Sequence, residues 1–478
     1  MSVLSVMLDL MESTGLTSLD PLPDSLKAGQ LLNGLGPETL GRIFADPRQG
    51  DAEQTVAALL RRVDAATSPK DRFEIQRDLI RAIYVVEEHR QECSRALKRL
   101  RKGLSAQDGA PKIPGNPVDP TAWNYEIFLA ERIARQFRAV GDTLAWHALR
   151  FRREAIIALS RNPSPGLMAG KAGIDAELDA LVDAFENRGN FALLHGATNC
   201  LLIGDVCEID DEADFVTIRE IKTNARRATK AQTQRAETAI AAILHGGPLP
   251  DDPNSGFYKA TATYAASHPP LRDVVALARK RGIAALSPGP GRVFVATALP
   301  EMLARVGEVE EALEWAEQVR GAGLRRANLE TARHLIVGRS GDSAGRAALV
   351  APIGLLPLSA EDRAAMICDR LIVEVTISAD YLVDLMNSKG AEAVSLLHDQ
   401  NGPLEDDVLA VEYAGNTLTV HTNGVAGLLH EYLEPNRWAG ALLESLAAPI
   451  TRPNIECVLR DEARVWGGKA AIRARGSG

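Results

Sequence analysis

"LLIGDVCEIDDEADFVTIREIKTN", Leu201 to Asn224, sets two apolar runs on either side of a short acidic turn. Such a pattern predicts a β-hairpin with strands at about 200–209 and 215–223, closed by "DDEAD". Residues two apart on a strand share a face, so Glu220 and Lys222 project together and Ile221 points away. Antiparallel pairing across the turn sets Asp205 opposite a residue near 219–221. Two carboxylates and an ammonium then stand within a few ångströms of one another, on strands that otherwise want burial.

Carboxylates that close repel, and one takes up a proton unless a cation sits between them. Hard oxygen ligands at the end of a rigid sheet suit Mg²⁺, or Mn²⁺ in its place, since such an ion needs only one or two protein carboxylates. There it would acidify a water and neutralise phosphoryl charge, with the Lys222 ammonium beside it. This is a phosphodiesterase constellation. The plainer alternative is a cross-strand ion pair worth about 0.2–1 kcal/mol. It explains poorly why charges interrupt such apolar strands.

Upstream, "IDAELDALVDAFENRG" reads as an amphipathic helix that carries Glu177 and closes at Gly189, and "FALLH" reads as a short strand. His195 and Asn199 occupy the junction "HGATN" just ahead of Asp205, as structural residues or as support for Asp205. Downstream, "TKAQTQRAETAIAAIL" reads as a helix. The order helix, strand, strand, strand, helix suggests an α/β sandwich.

A carboxylate on one strand, followed after a short turn by Glu-x-Lys on the next, resembles the PD-(D/E)XK nuclease superfamily, the fold of many restriction endonucleases and Holliday-junction resolvases. The resemblance covers residues 173–244. It implies a restriction-endonuclease-like α/β core, a mixed sheet flanked by helices. It also implies that Asp205 and Glu220 bind metal together with the Ile221 carbonyl, that Lys222 assists the nucleophile and that Glu177 orients a water. Family members often turn Gln or Arg toward the site from the helix after the Lys strand, and Gln232, Gln234 and Arg235 stand there. Two features depart from the pattern. Gly204 replaces the proline before Asp205, and a 40-residue insertion separates "AAIL" from "IAALS" and "RVFVATAL", where the last core strand is sought.

The chain has 478 residues, 46% of them apolar and 24% charged, enough for two or three domains. Composition and breakers divide it into a helical N-terminal region at 1–107, a linker and helices at 108–165, the nuclease-like core at 166–300 and a mixed α+β C-terminal domain at 301–478. No long apolar run or secretory signal is evident, so a cytoplasmic protein with no membrane partner is expected. The five cysteines are scattered and no His-x-x-x-His pair occurs, so neither disulfides nor zinc are expected. "GLMAGKAG" lacks the spacing of a phosphate-binding loop.

The formal net charge of −9 argues against a surface that coats nucleic acid everywhere. A local stripe remains: from Arg219 to Arg235 six basic residues face one acidic residue. Arg226, Arg227, Lys230, Gln232 and Arg235 are its candidate nucleic-acid contacts. The clusters at 95–102 and 150–154 read as solvated helix faces. The expected function is Mg²⁺-dependent hydrolysis of DNA phosphodiesters, with homo-oligomerisation left open and a bacterial restriction or anti-phage effector suggested by fold analogy alone. A catalytically silent nucleic-acid-binding module, or a helical interaction protein with an incidental hairpin, are the alternatives.

Overall fold

Three steps of Asp-Pro or Ser-Pro start the helical layer. They open α1 (Pro47–Ala65), α2 (Pro69–Leu100) and α3 (Pro120–Ala148) in the computed structural model. It describes residues 43, 46–105, 111–113, 118–160, 166–210, 215–221, 230–245, 249–250, 268–306, 309–332, 334–340, 350–397, 407–422, 424–447 and 471–476. Proline at the first helical position is pre-organised and has no N–H to leave unpaired. The residue before it supplies the cap: Asp46 accepts from Arg48 N at 3.0 Å, Ser68 from Asp71 N at 3.2 Å and Asp119 from Thr121 N at 2.8 Å. A short helix, α4 (Arg153–Leu159), follows.

The next elements come in the expected order: α5 (Ile174–Arg188), β1 (Phe191–Leu194), β2 (Val206–Asp210), β3 (Phe215–Glu220) and α6 (Lys230–His245). β1, β2 and β3 form an antiparallel meander in which Val206 pairs with Arg219. Asp205 therefore lies one residue past the ladder, and its N–H donates to Arg219 O at 3.0 Å. β1 is the edge strand. Its open backbone groups are met by the buried amide of Gln76 on α2, which donates to Ala192 O at 2.7 Å and accepts from Leu194 N at 2.8 Å.

The second half runs through α7 (His268–Arg281), β4 (Ile283–Gly289), β5 (Arg292–Ala298), α8 (Leu299–Leu303), α9 (Val309–Arg326), β6 (Leu335–Arg339), α10 (Ala360–Ile367) and β7 (Leu371–Ser378). It continues with α11 (Ala379–Ser388), β8 (Glu392–Ser395), β9 (Asp407–Tyr413), β10 (Asn416–His421), α12 (Ala426–His430), α13 (Pro435–Ala447) and β11 (Ala471–Gly476). The described residues give two antiparallel sheets here, β4-β5-β7-β6 and β10-β9-β8. The chain is thus of mixed α/β class, with sheets that are mostly antiparallel.

The expected unit at 166–300 seeks its last strand at 283–298, but hydrogen bonding places both strands of that stretch in the second sheet. The reason lies in β5, which is buried on both faces and needs a neighbour along each edge: β4 takes one and β7 the other. The strand beside β3 is β11, which runs parallel to it.

One apolar core joins the helical layer to the first sheet. It contains Leu79 and Ile83 of α2, Phe137 and Leu144 of α3, Leu181 of α5, Leu193, Val206 and Ile218 of the sheet, and it reaches Ala364 and Ile367 of α10. A second core gathers β5, β7, β9, α11 and α13.

Close approach at one glycine makes the first core's packing testable. A Cβ at Gly141 of α3 would sit 1.9 Å from Ala197 O, whereas one at Gly50 of α1 meets nothing within 4 Å. Gly141→Ala should therefore destabilise by about 1–3 kcal/mol or more, as overpacking does. Gly50→Ala should stabilise by about 0.5–1 kcal/mol through helix propensity alone. Urea unfolding of the two variants against the parent checks the opposite signs.

Candidate active site

Asp205 is delivered by a loop pinned at each step. The Asp142 carboxylate of α3, itself buried, accepts from Asn199 N at 2.6 Å and from Cys200 N at 2.8 Å. Leu159 O then accepts from Leu202 N at 2.8 Å and from Ile203 N at 2.9 Å. Gly204 follows with φ of +86°, and a Cβ there would lie 2.7 Å from the Ile218 side chain. Proline, locked near φ −65°, cannot occupy that backbone, which accounts physically for glycine at this position. The Asp205 carbonyl accepts from His195 N at 3.0 Å.

Its carboxylate faces two donors. Oδ2 accepts from Ile221 N at 2.8 Å, and Oδ1 accepts from Lys171 Nζ at 3.1 Å. The same ammonium lies 2.6 Å from Glu177 Oε1. A helix and a strand thus bring two carboxylates onto one cation, with Glu177 only 3% exposed and Lys171 41% exposed. Burial holds the Glu177 carboxyl above its ordinary value; the Lys171 hydrogen bond opposes this and the Asp205 charge reinforces it. Burial also works against charge on Lys171, but its bond to Glu177 and the Asp205 charge outweigh that and raise its pKa.

Lys171 has no precedent in the sequence reading, which treats "GLMAGKAG" only as a failed phosphate loop. One signal was present. Lys171 precedes the N-terminus of α5 by three residues, where the helix dipole disfavours a cation, so its presence asks for an anion. Its loop is held from α2: Glu87, with no exposed surface, accepts from Met168 N at 2.7 Å and Ala169 N at 2.9 Å. Gln91 donates to Ala169 O, and Arg138 of α3 pairs with Glu87 while donating to Gly196 O at 2.9 Å. The loop with Lys171 and the turn with His195 are clamped by the same pair of helices.

The remaining expected site residues separate. Glu220 ends β3, beside Ile221, and its backbone alone is described; Lys222, Arg226 and Arg227 lie outside the described residues. Lys230 and Gln232 are placed on α6 by their backbone, with Gln234 exposed and Arg235 half-buried on the same helix. Asn199 does not support Asp205 through its side chain: the amide donates to Asp142 Oδ2 at 2.9 Å instead. His195 is buried, which pushes its pKa down to about 4, and it touches Asp205 through its backbone N–H. Arg219 belongs to a separate cluster, 3.3 Å from Glu208, which also takes Arg188 at 2.6 Å. Nor is 150–154 wholly a solvated face, since Arg153 is buried over Trp146 and paired with Glu431 at 2.5 Å. No protein-family model, curated protein or solved structure matches the chain.

Removing Lys171 should leave Glu177 without its counter-charge and raise its carboxyl further. A carboxyl raised in the folded state costs stability increasingly as pH rises above its ordinary value of 4.5. Lys171→Met should therefore lose on the order of 1–2 kcal/mol at pH 7–8, less than the 3–5 of a fully buried pair because the ammonium is partly exposed. The loss should fade below pH 4.5, where Glu177 is protonated in both states. Urea unfolding across this range measures it; a deficit equal at pH 4 and pH 8 would mean that Lys171 acts by packing.

Proposed function

We propose that the protein is a divalent-metal-dependent nuclease of the PD-(D/E)XK type that hydrolyses DNA phosphodiester bonds. The observation that carries this reading is the convergence of Glu177 and Asp205 on one ammonium. Residues that draw positive charge between them at a sheet end, with oxygen donors only, have the chemistry to hold Mg²⁺ or Mn²⁺. Further support comes from the order α5, β1, β2, β3, α6 with a strand parallel to β3, and from Ile221, whose backbone already touches Asp205.

In this reading Asp205 and Glu220, with the Ile221 carbonyl, would hold the ion, which would supply charge neutralisation at the phosphoryl oxygens and a more acidic attacking water. Glu177 would orient that water, its carboxyl held above its ordinary value by burial. Lys171, whose ammonium already meets Asp205 and Glu177, would offset the developing negative charge, the role that the resemblance assigns to Lys222. Arg226, Arg227 and Lys230 bind phosphates without reading sequence. The remaining helices and sheets would serve recognition or regulation, as in a restriction or anti-phage effector.

A second reading, a nucleic-acid-binding module without chemistry, is favoured by one specific feature: Lys171 compensates the two carboxylates with no metal needed. Purified protein incubated with plasmid, linear and single-stranded DNA and with RNA, in Mg²⁺, Mn²⁺ or chelator, separates the two. The nuclease should cut only with metal, and Asp205→Asn, Glu220→Gln and Lys222→Ala should each lower turnover by about two orders of magnitude. The two amide variants should also lose metal binding by calorimetry, while Lys222→Ala keeps it. DNA binding without metal uptake or cleavage in the parent would leave the silent module. Replacing Arg226 and Arg227 by Ala should flatten the slope of log K against log salt by up to about 0.9 per lost contact.

A further inference from the structure

α2 presents His89 and Cys93 four residues apart, on one face, toward Glu126 of α3. His89 Nε2 lies 3.0 Å from Glu126 Oε2 and 3.5 Å from Cys93 Sγ, and the three donor atoms fall within 4.8 Å of one another. We propose that these side chains form a binding site for a borderline-soft divalent transition cation, Zn²⁺ foremost. The proposal does not depend on the nuclease reading.

Spacing is the first argument. A tetrahedral ion with donors at about 2.0–2.3 Å separates them by roughly 3.3–3.8 Å, so these atoms need to move only a little to surround one. Chemistry is the second. A thiolate with an imidazole and a carboxylate is a zinc set, too soft for Mg²⁺ or Ca²⁺, and three protein ligands leave a fourth position for water. Charge is the third. Thiolate and carboxylate neutralise a divalent ion, and the neighbouring Arg48 already has Asp46 at 2.7 Å as its own partner. Arg48 also forks onto both Glu126 oxygens, Nη2 to Oε1 at 3.0 Å and Nη1 to Oε2 at 2.5 Å, so an ion would take Oε2 in place of that second bond while the first keeps the carboxylate oriented.

Burial alone accounts for Cys93, which packs with Ala96, Leu97 and Trp123 as a small apolar residue. It does not account for an imidazole and a buried carboxylate aimed at the same point. Nor does the pair's other neighbour: Arg48 satisfies Glu126, yet it leaves the thiol and imidazole in contact at one spot. The site would also tie α2 to α3 within a turn of Glu87 and Gln91, which hold the Lys171 loop. Binding energy at such a site is folding energy.

The test uses the full chain stripped by chelator and titrated with Co²⁺, which reports thiolate ligation by a charge-transfer band and tetrahedral geometry by visible absorption. A single Co²⁺ per chain should give both signals, and Zn²⁺ should abolish them by displacement. Cys93→Ser should lose the charge-transfer band and weaken Zn²⁺ by more than the 10–100-fold typical of an outer partner. Cys368→Ser, a buried cysteine elsewhere, and Asp205→Asn should keep the band. His89→Ala, at a half-buried position, supplies a second ligand variant that tolerates truncation should Cys93→Ser fold poorly. Zn²⁺ should raise the Tm of the parent and leave that of either ligand variant unmoved. The absence of a band in the parent, or a band that survives the loss of Cys93 or of His89, would overturn the site.

Discussion

Glu87 has no exposed surface, and its two oxygens are divided between the Arg138 guanidinium and the N–H groups of Met168 and Ala169. A charge so buried has to be fully paired, because stripping it of one partner leaves an ion in a medium that cannot solvate it. The rest of the site follows from that necessity. Arg138 can meet Glu87 only if α2 and α3 keep their mutual height, and in doing so it reaches Gly196 O at the turn before Asp205. The other Glu87 oxygen fixes the loop that aims Lys171. One carboxylate therefore coordinates three segments distant in sequence, and the charges at the sheet end inherit their spacing from the helices behind them.

The two halves of the molecule are held by a comparable logic at larger scale. α10 packs against α1, and its apolar side chains enter the first core. Around that contact, Arg363 pairs with Asp64, Arg132 with Asp369, and Arg370 with Glu53 at 2.8 Å. Arg153 reaches Glu431, whose carboxylate also accepts from Ala351 N at 2.6 Å. Arginine suits these places because its planar fork meets a carboxylate and a carbonyl together, as Arg363 does with Asp64 and Gly354 O. The apolar contact supplies the attraction and the ion pairs set the orientation.

Local order was legible in the sequence where side-chain periodicity and backbone chemistry agree. The hairpin and its helix-flanked order follow from alternation and a short turn, although the first strand begins at Val206 rather than near 200, so that Asp205 stands one residue beyond the Val206–Arg219 pair. The helix bearing Glu177 follows from its apolar spacing and its closing glycine. What escaped depends on partners brought from afar. Lys171 reaches Asp205 only because Glu87 and Gln91 hold its loop, and no spacing rule encodes that. The strand at 292–298 reads alike whether its neighbour is β3 or β7, since a fully buried strand carries no mark of its sheet. Asn199 looks like support for Asp205 until Asp142 arrives from α3. His89 and Cys93 show helical spacing in plain view, but the carboxylate that gives the pair chemical meaning comes from the next helix.

Gln76 has a consequence for modularity. An edge strand with free backbone groups is a template for pairing with any other chain, and proteins blunt such edges in varied ways. Here the blunting group is a single amide from outside the sheet, supplied by α2 to Ala192 and Leu194. A fragment cut to the hairpin and its two flanking helices would leave that edge bare, together with the apolar face that α2 and α3 cover. Such an excised piece would self-associate through β1 rather than behave as a portable cassette. Recombination that shuffled this sheet between proteins would have to carry the helical layer with it.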